Sequence, residues 1–202
     1  MPVSEAAVVM ATDEEHLRAR FWGLLAALLA APPSAPLLGT LALIPGDASE
    51  LGHALADLAA TARTMDPAAA EDEFNALFIG LSRGELVPFA SYYLTGFLHE
   101  KPLAHLRANM EALGMVVNDN VSEPEDHIAI LAEIMQLLID GSLGAPLSLA
   151  EQKRFFAAHI EPWAGRFFTD LENSPAARLY RPVGVLGRLF LAVEAQAFAM
   201  ID

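Results

Sequence analysis

Apolar residues along this chain recur at three- and four-residue intervals and nowhere alternate over a long run, which is the signature of helices rather than strands. Leu17, Phe21, Leu24, Leu25 and Leu28 form one such stripe. Thr12 with Glu15 has the spacing of a capping box, so the first helix is predicted from there to about Ala31, where Pro32 and Pro33 stop it. A short helix over 37–43 follows, ending at Pro45-Gly46, and Asp47 and Glu50 open a third with Leu51, Leu55, Leu58 and Ala62 on one face. Asp66-Pro67 starts a fourth, whose face carries Ala70, Phe74, Leu77 and Phe78 and whose stop is Gly80. Residues 81–88 read as a loop, then helices are expected over 91–99 and 102–113. Ser122 and Glu125 again have capping-box spacing, with Pro124 in the first turn, so a helix is predicted from 122 to about 140. Ser148 with Glu151 opens another, Pro162 the next (Trp163, Phe167, Phe168 and Leu171 inward), and the last runs over 182–201. The pattern predicts an all-α fold: one helical bundle of roughly eight to ten helices over 1–202, with residues 141–146 as a possible hinge.

Composition supports helices and bounds the function. The chain has 202 residues, 54% of them hydrophobic, with a mean hydropathy of +0.36. That is ample for a sizeable core. Ala and Leu outnumber the β-branched residues, which favours helix. Its net charge of −14, from 26 acidic and 12 basic residues, argues against nucleic acid as a partner and for cationic or basic peptide ligands. With no cysteine, disulfides, iron–sulfur ligation and thiol catalysis are excluded. No basic residue precedes Arg18, so a secretory signal is not expected. The longest apolar run, 21–31, has 11 residues against the roughly 20 that span a bilayer. The expectation is a cytoplasmic protein without stable membrane insertion.

Two segments carry the candidate chemistry. Ser122-Glu123-Pro124-Glu125-Asp126-His127 gathers three carboxylates and an imidazole, more than a helix start needs. Glu123 and His127, four apart, can supply two metal ligands on one helix face, and the same spacing serves a surface pair. Asp126 with His127 is chemically suited to acid–base work, yet neighbours on a helix diverge by roughly 100°. The second segment is Glu73-Phe74-Asn75-Ala76-Leu77-Phe78-Ile79-Gly80, followed by Pro88-Phe89-Ala90-Ser91-Tyr92-Tyr93. Phe74, Leu77 and Phe78 have the spacing of a core stripe. Phe89, Tyr92 and Tyr93 instead suit an apolar groove meeting water, and acids around such a groove suit a peptide carrying positive charge. No phosphate loop, GxGxxG or HExxH motif is present.

Taken together and in this order, these segments resemble the TorD/DmsD/NarJ type of Tat-proofreading chaperone, the redox enzyme maturation proteins. The resemblance rests on Glu73-Phe74-Asn75-Ala76-Leu77-Phe78 with Gly80, Pro88-Phe89-Ala90-Ser91-Tyr92-Tyr93, Pro102-Leu103-Ala104 and Glu123-Pro124-Glu125-Asp126-His127. The family's E-P-x-D-H signature is complete. Phe74 and Phe89 stand where Tyr or Trp is commoner, which removes a polar handle at each. The resemblance implies an all-helical, non-enzymatic chaperone without metal or cofactor. Its implied partners are the twin-arginine signal peptide and the body of a molybdoenzyme catalytic subunit, and it would act as a monomer or a segment-swapped dimer. The apolar part of the signal would pack near Phe74, Leu77, Phe78, Pro88, Phe89 and Tyr92, with its arginines by Glu123, Glu125 or Asp126, beside Pro124 and His127. Family members are also linked to guanine nucleotides, for which no phosphate loop is present here.

On this reading Asp126→Ala and His127→Ala weaken peptide binding and leave helicity intact, while Ser122→Ala costs about 1 kcal/mol as a lost cap. Two other functions stay open at this level: a metal- or carboxylate-dependent hydrolase centred on 123–127, and an adaptor that binds a partner helix without reading arginines.

Overall fold

The computed structural model describes residues 12–80, 84–115, 123–142 and 144–201. Its helices are α1 (Asp13–Ala30), α2 (Ala35–Leu41), α3 (Glu50–Ala62), α4 (Pro67–Phe74), α5 (Ala90–Thr95), α6 (Lys101–Ala112), α7 (Ile128–Asp140), α8 (Leu149–His159), α9 (Ala164–Asn173) and α10 (Tyr180–Ala199). Among the described residues there is no strand, only an isolated antiparallel bridge between Phe89 and His127. The fold is all-α, as the periodicity predicts.

Local chemistry accounts for most helix ends. Thr12 and Glu15 form a reciprocal capping box at the start of α1, and Ser148 and Glu151 do the same for α8. α4 runs on into a π-helical turn, Asn75–Ile79, which ends at Gly80 with φ 62°, a conformation that disfavours a side chain. α5 is shorter than the predicted 91–99: Gly96 takes the left-handed conformation (φ 85°) and closes it at Thr95. The buried stripe of α1 is also rotated from the prediction. Trp22, Leu25, Leu28 and Leu29 face inward, whereas Leu17 is 54% exposed.

α1 lies along α7, and α10 lies between α9 and α3. The α9–α10 approach depends on Gly184 and Gly187. A Cβ on Gly184 would meet the Glu172 backbone, and one on Gly187 would meet the Phe168 ring. Buried polar groups set the register of the long helices. Glu194 in α10 accepts from Arg18 Nε at 2.6 Å and from the Trp22 indole at 3.0 Å, while Arg18 Nη1 donates to Gln152 of α8 at 3.1 Å. α10 is long and apolar enough to cross a membrane by length and composition alone, but half of it is buried against the other helices.

The start of α10 is held from a distance. The Glu73 carboxylate accepts the backbone N–H groups of Arg178, Leu179 and Tyr180 at 2.7, 3.0 and 2.9 Å. This satisfies amides that a helix N-terminus leaves without partners.

Candidate functional site

The segments 84–91 and 123–128 meet side by side. Ala90 N donates to Asp126 O at 3.0 Å and Ile128 N to Pro88 O at 2.9 Å, so the loop before α5 and the turn before α7 run antiparallel for one step. The acid-rich turn is therefore not helical. α7 begins at Ile128 with His127 as its N-cap, a correction to the predicted start at Ser122, which lies outside the described residues. The Glu125 carboxylate faces Arg107 of α6. Glu123 and His127 likewise do not share a helix face, because both precede the helix.

Each group in the turn has a defined environment. Asp126 is 1% exposed, and its Oδ2 accepts Ser91 N at 2.7 Å, capping α5 from another part of the chain. Among the described residues, Asp126 Oδ1 and Ser91 Oγ are buried without a hydrogen-bond partner. His127 Nδ1 accepts the Ala129 amide at 3.1 Å, so the ring is the neutral tautomer with its proton on Nε2. Burial lowers its pKa from 6.5 to about 4. The Phe89 ring meets it edge-on at 4.9 Å. Glu125 is buried and accepts a forked pair from Arg107, with Nε 3.1 and 3.0 Å from its two oxygens and Nη2 at 2.8 Å. Burial raises the Glu125 pKa, but the Arg107 hydrogen bonds and charge outweigh it and the net direction is down. Glu123 is exposed and Pro124 half-buried.

Beside this turn lies a groove of about 470 Å³ lined by Phe78, Ile79, Leu86, Val87, Pro88, Phe89, Tyr92, Phe97 and Leu98. Of the predicted apolar residues, Phe78, Pro88, Phe89 and Tyr92 line it. Phe74 and Leu77 do not: they are buried in the core, 5% and 0% exposed, with Phe74 packed on Phe78 and Tyr180. Tyr93 turns away as well, donating to Asp170 Oδ2 at 2.9 Å and stacking near Trp163. Sequence reasoning missed Ile79, Phe97 and Leu98, which are 56%, 70% and 43% exposed at the groove. Their signal was available: Gly96 precedes two large apolar residues where a helix end usually turns polar. Arg107 gave no local signal, standing 18 residues before the Glu125 it binds. A second, smaller cavity of about 120 Å³ is lined by Asp126, His105 and His159 among others. Among the described residues no group of three His, Asp or Glu is arranged to hold a metal ion.

A helical protein with an apolar groove beside a buried acidic turn is the class that fold and site define. The profile of the nitrate reductase delta subunit family matches residues 44–169, and the chain belongs to that family, the TorD/NarJ family. It is similar to a protein named chaperone protein TorD from Vibrio cholerae serotype O1 (strain O395), 31% identical over 126 residues that cover 59% of this chain and 57% of the relative. A Vibrio atlanticus protein of the same name is 29% identical over 135 residues, 63% of each chain. The matched region thus spans less than two thirds of these relatives' length. In fold it resembles a crystal structure described as a redox enzyme maturation protein from Archaeoglobus fulgidus. The TM-score is 0.55 at 22% identity, covering 93% of this chain and 99% of that one.

Proposed function

We propose that the protein is a cytoplasmic maturation chaperone that binds the twin-arginine signal peptide of a molybdenum-cofactor oxidoreductase. In this role it holds the client back from Tat export until cofactor loading and folding are complete, and the enzyme body is a second contact. The observation that carries the reading is the direct pairing of Phe89 in the groove wall with His127 in the acidic turn. A peptide with an apolar stretch next to a basic one can engage both, since the two segments meet at that pair. Names of relatives in the same family point the same way.

In this reading the apolar stretch packs on Phe78, Pro88, Phe89 and Tyr92, with Phe97 and Leu98 extending the wall. Phe74 and Leu77 support Phe78 from the core side. The arginines lie along Glu123, Pro124, Glu125, Asp126 and His127. Burying a few large side chains at about 25 cal/mol per Å² holds a peptide at micromolar affinity once ordering costs are subtracted. Charge-assisted contacts add orientation and encounter rate more than affinity, which suits a chaperone that must release its client.

Calorimetric titration with twin-arginine peptides from candidate molybdoenzymes, at low and moderate salt, tests this. Micromolar binding that weakens with salt and with Arg→Gln in the peptide is the expected result. Equal affinity for the Gln peptide would instead identify an adaptor for apolar segments, and no binding at all would refute the signal-peptide role.

A further inference from the structure

Glu125 already has a ligand in this fold, and that ligand is a guanidinium. Arg107 reaches it in the forked geometry by which carboxylates recognise arginine generally. The two ends of the pair are unequal: the Glu125 side chain is 8% exposed, the Arg107 side chain 55%. Asp126 adds its negative field at the same guanidinium. Among the described residues, the hydrogen bonds of the Arg107 side chain all go to Glu125. It is thus anchored to α6 at one end and to a single carboxylate at the other, with solvent beside it.

We propose that Glu125 is the group that reads arginine on this surface and that Arg107 is its internal placeholder, displaced by an arginine of the client peptide. This rests on the signal-peptide reading above and makes it more specific. Exchange of one fork for another never leaves Glu125 unpaired, so the heavy penalty of a lone buried carboxylate is avoided. Glu125 lies two residues from His127, whose backbone pairs with Phe89 at the groove wall. Two residues of chain span at most about 7 Å, so Glu125 stands within a few extended residues' reach of that wall. A peptide held in the groove therefore presents its arginine to Glu125 at high effective concentration and competes with Arg107 on even terms, while free arginine in solution does not. Lysine, a compact charge without a fork, cannot take over both oxygens. The other carboxylates in the turn are less suited: Asp126 already accepts Ser91 N, and Glu123 is exposed and screened.

The test titrates wild type, Arg107→Gln and Arg107→Gln with Glu125→Gln against a groove-binding peptide carrying Arg, Lys or Gln at the basic positions. Removing the placeholder is expected to tighten the Arg peptide at least threefold, with no gain for the Lys or Gln peptide and none once Glu125 is also changed. Equal or weaker binding of the Arg peptide by folded Arg107→Gln overturns the proposal. Arg107→Lys, which keeps the charge and loses the fork, gives the same direction and serves if the Gln variant folds poorly. A second arm needs no peptide: N-ethylguanidinium chloride is expected to raise the melting temperature of Arg107→Ala relative to wild type, and ethylammonium chloride is not. If no peptide binds wild type, the signal-peptide reading fails and displacement by a client fails with it. The ethylguanidinium arm still decides whether Glu125 is a guanidinium receptor, and absence of rescue overturns that.

Discussion

At position 126 a carboxylate that is 1% exposed accepts the Ser91 amide at 2.7 Å, and at position 127 an imidazole caps α7 through Nδ1. Both residues hold helix starts, so alanine at either position removes a cap as well as any ligand contact. Asp126→Ala is expected to lower stability by about 1–3 kcal/mol, measured by urea denaturation. Asp126→Asn keeps an oxygen for Ser91 and loses the charge; its melting temperature should stay near wild type while salt-sensitive peptide binding weakens. His127 makes a pH prediction. Its folded pKa, about 4, lies below its ordinary 6.5 because the ring is buried. Above pH 6.5 the ring is neutral folded or unfolded; between 6.5 and 4 the unfolded chain takes up the proton first, so stability falls as pH falls and levels off below 4. His127→Asn, which retains an N-cap, should reduce that loss by about 3 kcal/mol in denaturation series across the window. His159, lowered to about 4 by burial and by neighbouring His105, leaves a residual slope. These environments were only partly legible in the sequence. The spacing of Ser122 and Glu125 matches a capping box as well as Thr12 and Glu15 do, but Glu125 is drawn to Arg107 by a contact that no local pattern encodes.

Helix ends show the same division at the scale of elements. Those satisfied by near neighbours, such as α1 and α8, were readable from Ser or Thr followed by Glu; those satisfied across the fold were not. α5 borrows Asp126, and α10 borrows Glu73, whose role is hidden in the sequence because its three amide partners lie more than a hundred residues away. Glu73→Ala is therefore expected to destabilise by about 3 kcal/mol or more, through amides left without an acceptor, with peptide-binding residues untouched. Glu73→Gln, which keeps an oxygen, should cost less. Chemical denaturation of the pair distinguishes this from a general surface effect. The α9–α10 contact makes a second prediction. In an exposed helix Gly→Ala gains about 1 kcal/mol. At Gly184 the added carbon meets backbone of Glu172, which cannot move independently of α9, so Gly184→Ala should be net destabilising by about 1–3 kcal/mol. The core stripe 74–77–78 was read from its spacing; that its third member also lines a groove depends on how the loop after the π-helical turn folds back, with Leu86 N on Leu77 O at 2.8 Å.

For the whole molecule, the net charge is −14, and the apolar groove is bordered by exposed Ile79, Phe97 and Leu98. The long-range field favours encounter with a basic peptide, and the groove supplies the contact that persists when salt screens the field. The all-α class followed from periodicity and composition because both are properties of the chain as a whole. The groove was legible in part, from Phe89 and Tyr92; its junction with the acidic turn was not, because that rests on two segments some forty residues apart pairing through Phe89 and His127. The central claim is that these segments bind as one surface, and hydrogen–deuterium exchange with and without a twin-arginine peptide tests it most directly. Protection appearing together in 84–98 and 123–129, and falling in both when the arginines become glutamine, is the predicted result; protection confined to one segment, or placed elsewhere on the bundle, would contradict the account.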